Sequence, residues 1–232
     1  MVSLPEVQAG IADLINLGVE YDSKTADAVE GLTKVQAIKV AKQIAANYRD
    51  DMHSIVNDTL TEAAAAASES FEGDLSGEDF TNFVNKKKAE KYFGLTLAGR
   101  MAVNHVRLRK NIERSAAVGV EHLGSVYTKS YPFGAQVNVD GRTLRATAHK
   151  IEQDLAIHYA KERQVKIRWS LSGAHGKPDI CDELVGEYTP SNLPRPPHPF
   201  CRCEFQLLEE GTEPTKFTRT IDKLRSLIRR LR

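Results

Sequence analysis

The sequence predicts a mainly α-helical protein with a small α+β unit near its C-terminus. Apolar residues recur every three or four positions through most of the chain before Val165, aromatic residues make up only 7%, and alanine-rich stretches such as 62–67 favour helix over sheet. From Val165 onward apolar and polar residues alternate, which is typical of a half-buried strand. The 232 residues, 41% hydrophobic and 27% charged, exclude collagen, low-complexity disorder and disulfide-dense secreted scaffolds.

The N-terminal region is predicted to be an elongated series of helices. They cover 5–18, roughly 25–70, 78–92 and 96–117, because apolar side chains there follow helical spacing. A loop is expected at 73–77, where two glycines and two acidic residues interrupt the pattern. Ser76 is the expected N-cap of the next helix, with Glu78 and Asp79 favourably placed in its first turn.

The C-terminal part combines helix and strand. Residues 135–140 alternate as a short strand that ends in an Asp140-Gly141 turn signal, and a helix is expected over 143–164. Further strands are predicted at 165–171 and 203–208. We therefore expect a helical region over 1–134, a compact α+β unit over 135–210 and a basic helix over 211–232.

Charge is distributed unevenly along the chain. Residues 1–75 contain 13 acidic and 5 basic residues, whereas 76–232 contain 18 acidic and 27 basic residues. This split predicts different partners for the two parts, although solvated helix faces can produce similar numbers. No apolar run is long enough for a membrane span and no secretory leader is visible, so we expect a reducing cytoplasmic environment and no membrane partner.

All the cysteines of the chain lie in one glycine- and proline-rich segment together with two histidines. Such a cluster of soft and borderline ligands predicts a structural zinc site, because tetrahedral zinc needs four nitrogen or sulfur ligands. Prolines 194–199 would hold the surrounding loop in a fixed conformation. The candidate ligands are Cys181, His198, Cys201 and Cys203, with His175 as an alternative.

Other interpretations of this cluster stay open at the sequence level. Position 184 is leucine, so the usual Cys-x-x-Cys knuckle is absent, and the thiols could equally be buried packing residues or a relic of a metal site. A disulfide between Cys181 and Cys203 is a further alternative, which a reducing cytoplasm disfavours. A nucleophilic cysteine needs a nearby base, which His198 or His175 could supply to Cys201.

The same segment resembles the phage minor head protein family, the Mu F-like and related head morphogenesis proteins of tailed bacteriophages. The resemblance covers roughly residues 140–208 and includes the helix that precedes the tryptophan strand. The terminal Pro-Pro-His-Pro-x-Cys-Arg-Cys run is its most specific part. Many members have a second cysteine three positions after the first, where this chain has Leu184. The motif positions outside the candidate ligands are Trp169, Asp179, Gly186, Pro197 and Arg202.

The resemblance implies a virion component with no enzymatic activity, present in few copies inside the head near the portal vertex. It would support head assembly, DNA packaging or genome ejection, and it would be in the host cytoplasm during assembly. The implied partners are the portal protein, the major capsid protein or scaffold, and packaged double-stranded DNA.

The last residues predict a basic amphipathic helix. Residues 214–232 contain seven basic residues and one acid, and their apolar residues share one face. That face could dock on a partner while the cations contact DNA phosphates without reading sequence; a plain terminal helix and a membrane-surface helix are the other interpretations. The candidate DNA-binding residues are Arg225, Arg229, Arg230 and Arg232.

Two further function classes compete with an assembly protein. One is a zinc-stabilised, sequence-independent DNA-binding module. The other is an enzyme, either a metal-assisted nuclease or a cysteine hydrolase, but no catalytic motif of known spacing is present. An enzymatic centre would be built from His175, Asp179, Cys181, His198 and Cys201.

Overall fold

A computed structural model describes residues 5–124, 132–171, 179–198, 201 and 203–208. It confirms the predicted class, with five helices and a small antiparallel sheet in the described residues. The elements are α1 (Pro5–Val29), α2 (Lys34–Ser70), α3 (Gly77–Ala89), α4 (Leu97–Val118), α5 (Pro132–Glu162), β1 (Lys166–Ser170), β2 (Gly186–Tyr188) and β3 (Glu204–Leu208). The predicted basic helix over 211–232 lies outside the described residues.

The turn between the first two helices lies later in the chain than predicted. Helix α1 continues through the expected break at 18–25, because Tyr21, Thr25 and Val29 extend its buried face. The chain turns instead at Gly31, whose φ of 70° is easily adopted only without a Cβ. Thr33 then caps α2, and its backbone N–H donates to Gln36 Oε1 at 3.1 Å. The loop is confirmed over 73–76, and α3 begins at Gly77. Ser76 is the N-cap as predicted, although its side chain makes no capping hydrogen bond.

Helices α2 and α5 pack against each other and form the middle of a helical bundle. Helices α1 and α4 each pack against both of them, and in the described part of the chain α1 and α4 share no extended interface. They therefore lie on opposite sides of the α2–α5 pair. Three fully buried alanines, Ala37, Ala41 and Ala45, follow helical spacing along α2 and leave room for its neighbours to approach closely.

The predicted strand at 135–140 is wrong, because these residues belong to α5. Asp140, expected in a turn, is buried in the helix and accepts hydrogen bonds from Asn104 Nδ2 at 2.8 Å and Tyr48 OH at 3.1 Å. Gln136, one turn earlier in α5, donates a third bond at 3.0 Å. These tertiary bonds outweigh the local preference of Asp-Gly for a turn.

The sheet has the order β2-β1-β3, and both pairings are antiparallel. Strands β1 and β3 confirm the predictions at 165–171 and 203–208 to within two residues, whereas the three-residue β2 was not predicted. Trp169 is opposite Gly186 on one side and Phe205 on the other. Its indole ring is fully buried and packs on the Phe205 ring, with centroids 4.9 Å apart.

The described residues contain two clusters of buried apolar side chains. The larger lies inside the helical bundle, and the smaller lies between the end of α5 and the sheet. Helix α5 contributes residues to both clusters and therefore connects them. The predicted boundary between a helical region and an α+β unit, at residues 134/135, stays a prediction. No described helix is long and apolar enough to cross a membrane.

A buried carboxyl group makes the stability of the bundle depend on pH. Asp22 of α1 accepts hydrogen bonds from the backbone N–H groups of Phe133 and Gly134, at 3.3 and 2.9 Å, at the start of α5. Burial raises the pKa of Asp22 from 3.8 to about 7, although these two bonds oppose the shift. The folded protein therefore holds a proton on Asp22 that the unfolded chain has lost between these two pH values.

We expect the free energy of unfolding to fall as pH rises from about 4 to about 7, by at most about 1.4 kcal/mol per pH unit from this group. Asp22→Asn should reduce the slope, because the amide does not titrate. Urea denaturation across this range measures the effect, with Asp13→Asn on the exposed face of α1 as the control. Equal slopes in the wild-type protein and Asp22→Asn would contradict the assignment.

Candidate metal centre

A short 3-10 turn, Ile180–Leu184, positions the first candidate ligand. Asp179 caps this turn: its Oδ1 accepts from the Cys181 backbone N–H at 2.7 Å, and its own backbone N–H donates to Asp182 Oδ2 at 2.8 Å. These reciprocal bonds form a capping box. The Cys181 side chain is fully buried and belongs to the smaller apolar cluster, between the end of α5 and the sheet.

Three of the predicted ligands meet at one point. Cys181 Sγ lies 3.3 Å from His198 Nε2 and 3.7 Å from Cys201 Sγ, and the three ligand atoms all lie within 4.8 Å of one another. Sulfur and nitrogen ligands around a tetrahedral zinc are about 3.5–3.8 Å apart, given metal–ligand bonds of about 2.0–2.3 Å. The two contacts thus resemble ligand separations around a metal, and this group can bind a metal ion.

Cys203 lies beside this group. It is buried next to β3, and its thiol hydrogen-bonds with the side chains of both Cys181 and Cys201. The three cysteines are thiols rather than part of a disulfide. The structure therefore brings three of the four predicted ligands, Cys181, His198 and Cys201, into one group, with Cys203 beside it. The alternative ligand His175 lies outside the described residues.

The thiols of Cys181 and Cys201 have a raised pKa and are therefore protonated at neutral pH. Burial, followed by the hydrogen bond with Cys203, raises the pKa of Cys181 to about 12. For Cys201 the hydrogen bond with Cys203 is the largest cause, followed by burial, and the pKa is raised well above its ordinary value. A metal would replace these thiol protons and release them to solvent.

One carboxylate, Asp179, and one amide side chain, Gln153, lie next to the candidate ligands. Asp179 Oδ2 lies 3.4 Å from His198 Nε2, so the same carboxylate caps the turn and faces the imidazole. Gln153 of α5 is buried and donates through Nε2 to the Cys203 carbonyl at 3.3 Å. Its Nε2 also lies 3.1 Å from His149 Nε2. Sequence reasoning missed Gln153; the available signal was a polar residue on the buried stripe of α5.

The remaining motif residues surround the cluster where they are described. Trp169 and Phe205 form its apolar wall, and Gly186 pairs with Trp169 across β1 and β2. The Trp169 indole N–H is buried with no hydrogen-bond partner among the described residues. Pro197 is half-buried beside His198. Besides His175, five predicted site residues lie outside the described residues: Arg202, Arg225, Arg229, Arg230 and Arg232.

Comparison of the chain with protein-family models, with curated proteins and with solved structures found no match.

We expect the purified protein to bind about one zinc ion per chain. Cys201→Ser and His198→Asn should each abolish that binding and lower the melting temperature, because metal binding to a folded site adds to folding stability. Plasma mass spectrometry of the tag-free protein gives the metal content, and thiol titration before and after a chelator shows whether the metal protects the cysteines.

His122→Asn is the matched control, since His122 is half-buried in the turn after α4 and is not one of the candidate metal ligands. Its metal content should equal that of the wild-type protein. Three thiols that react at the same rate with and without chelator, and no bound metal, would contradict the metal assignment.

Proposed function

We propose that this protein is a minor head protein of a tailed bacteriophage that binds the portal vertex inside the head. In this role it supports head assembly, DNA packaging or genome ejection without catalysing a reaction. The observation that carries the proposal is the convergence of Cys181, His198 and Cys201 within the segment that resembles this family. The proposed location is the head interior, with the host cytoplasm as the site of assembly.

The arrangement of the motif residues supports this proposal. Trp169 is in the buried core, Asp179 caps the turn that carries Cys181, and Gly186 is the register partner of Trp169. Residues that are far apart in sequence thus form one folding unit around the cluster.

We assign the metal as a structural Zn²⁺ held by Cys181, His198, Cys201 and Cys203. The small cluster of apolar side chains beside the sheet has few large residues, and a metal supplies folding energy that such a core lacks. Cys203 would complete the ligand set in which Leu184 replaces a second knuckle cysteine. The metal would bind the proline-rich segment to the turn at Cys181.

The environment of the thiols supports a structural rather than a catalytic role. Nucleophilic cysteines are partly exposed and have a lowered pKa, whereas Cys181 and Cys201 are 0% and 3% exposed and their pKa values are raised. A catalytic zinc keeps one coordination position open for water, and four protein ligands would fill it. The burial and raised pKa of the thiols disfavour a cysteine hydrolase, and a zinc held by all four proposed ligands would have no position for the water that a metal-assisted nuclease needs.

The proposed partners are the portal protein, the major capsid protein or scaffold, and packaged DNA. When the full chain is co-expressed with the portal protein of its phage, we expect the two to co-purify. The double variant Cys201→Ser, Cys203→Ser should lose this association, because the unit that the metal stabilises would unfold locally. His122→Asn should retain it.

A second measurement tests location independently of portal affinity. Immunoblotting of purified heads and tails should detect the protein in heads, at a copy number far below that of the major capsid protein. Absence from heads would overturn the proposed function. A hydrolytic or nuclease activity that is lost in Cys201→Ser would favour the enzymatic alternative instead.

A further inference from the structure

The charge asymmetry of the sequence becomes a difference between two sides of the helical bundle. Helix α1 carries five acidic residues and one basic residue, whereas α4 carries five basic residues and one acidic residue. These two helices lie on opposite sides of the α2–α5 pair. Three of the α1 acids, Asp13, Glu20 and Asp27, are exposed. One side of the bundle is therefore negative and the other positive.

Four of the five cations of α4 are exposed, and the fifth, Arg100, is half-buried and donates to the Tyr92 carbonyl. Arg107, Lys110 and Arg114 follow one another at spacings of three and four residues, so they form a stripe about 10 Å long, with Arg109 beside it. All four side chains are exposed, and none of them makes an ion pair with another described residue. The single acid of α4, Glu113, is already paired with Lys42 of α2.

His105 of α4 lies close to charged residues of α2. The pKa of His105 is lowered first by burial and then by the guanidinium groups of Arg49 and Arg109. Arg49 of α2 has a carboxylate partner, its neighbour Asp50. Asp50 acts on the pKa of His105 in the opposite direction, so this part of α2 brings charge of both signs next to the stripe on α4.

We propose that the exposed face of α4 binds the phosphate backbone of double-stranded nucleic acid, through Arg107, Arg109, Lys110 and Arg114. Duplex DNA carries about one negative charge per 1.7 Å of axis, so a stripe about 10 Å long can contact several phosphates. Arginine, which supplies three of the four cations, binds phosphate in a bidentate geometry. The acidic α1 side would repel the same polyanion, which orients the bundle with α4 toward DNA.

This inference rests on the proposed function for its partner, because a protein inside a phage head is surrounded by packaged duplex. It places a contact on α4, in addition to the arginines proposed near the C-terminus. No base-reading geometry is involved, so binding is independent of sequence and weakens steeply with salt.

The test uses the full chain and a mixed-sequence duplex of about 25 base pairs, a length that spans a typical site. Fluorescence anisotropy at several NaCl concentrations gives the affinity and its salt dependence. The triple variant Arg107→Gln, Lys110→Gln, Arg114→Gln should bind more weakly and should reduce the slope of log K against log salt by about 2–3, since each phosphate contact contributes about 0.9.

A matched triple variant controls for net charge. Lys24, Lys161 and Lys166 are exposed and lie on α1, the last turn of α5 and β1. Their replacement by glutamine changes the charge by the same amount and should leave the slope unchanged. Thermal melts of both triples should match the wild-type protein, because every substituted side chain is exposed.

Two results would overturn the α4 site. One is an unchanged affinity and slope in the α4 triple, including the case in which only a variant of Arg225, Arg229, Arg230 and Arg232 loses binding. The other is equally tight binding of polyglutamate, which would identify the face as a site for acidic protein. Portal co-purification by the α4 triple is measured in parallel, so loss of DNA binding and failure of the proposed function remain distinguishable.

Discussion

The burial of the Asp140 carboxyl group in the middle of α5 is the constraint on which the rest of the structure depends. Its hydrogen bonds with Tyr48 and Asn104 connect α5 to α2 and α4, the two helices that contact it on that side. A carboxyl group without these partners would cost several kcal/mol to bury. With them, α5 continues as a helix through a segment rich in β-branched residues and glycine.

Because α5 is continuous, it connects the two apolar clusters. Its first half packs inside the bundle, and its last turns place Ala156 and Ala160 against the sheet. Gln153, between these two regions, donates to the backbone of Cys203. The candidate metal ligands are thus connected to the bundle through one helix. A shift of α5 along its axis would move the Gln153 donor away from the Cys203 carbonyl.

The two charged sides of the bundle follow from the same arrangement. Helices α2 and α5 carry mixed charge and occupy the middle, so the acidic α1 and the basic α4 are kept apart. If α1 and α4 were neighbours, their opposite charges would neutralise each other in surface ion pairs, which contribute little to stability. Separation leaves the exposed cations of α4 available for a polyanionic partner and keeps the acids of α1 on the other side.

The sequence by itself determined the helical class, the strands around Trp169 and Phe205, and the identity of the candidate ligands. These depend on local periodicity and on the rarity of cysteine, which survive any tertiary arrangement. Tertiary structure alone decided the continuity of α1 and α5, the short strand β2 and the role of Gln153. Each depends on contacts between residues far apart in the chain: Tyr21 with Asp51, Asp140 with Asn104, and Gly186 with Trp169. Local preference at Asp140-Gly141 favoured a turn, and long-range hydrogen bonds outweighed it.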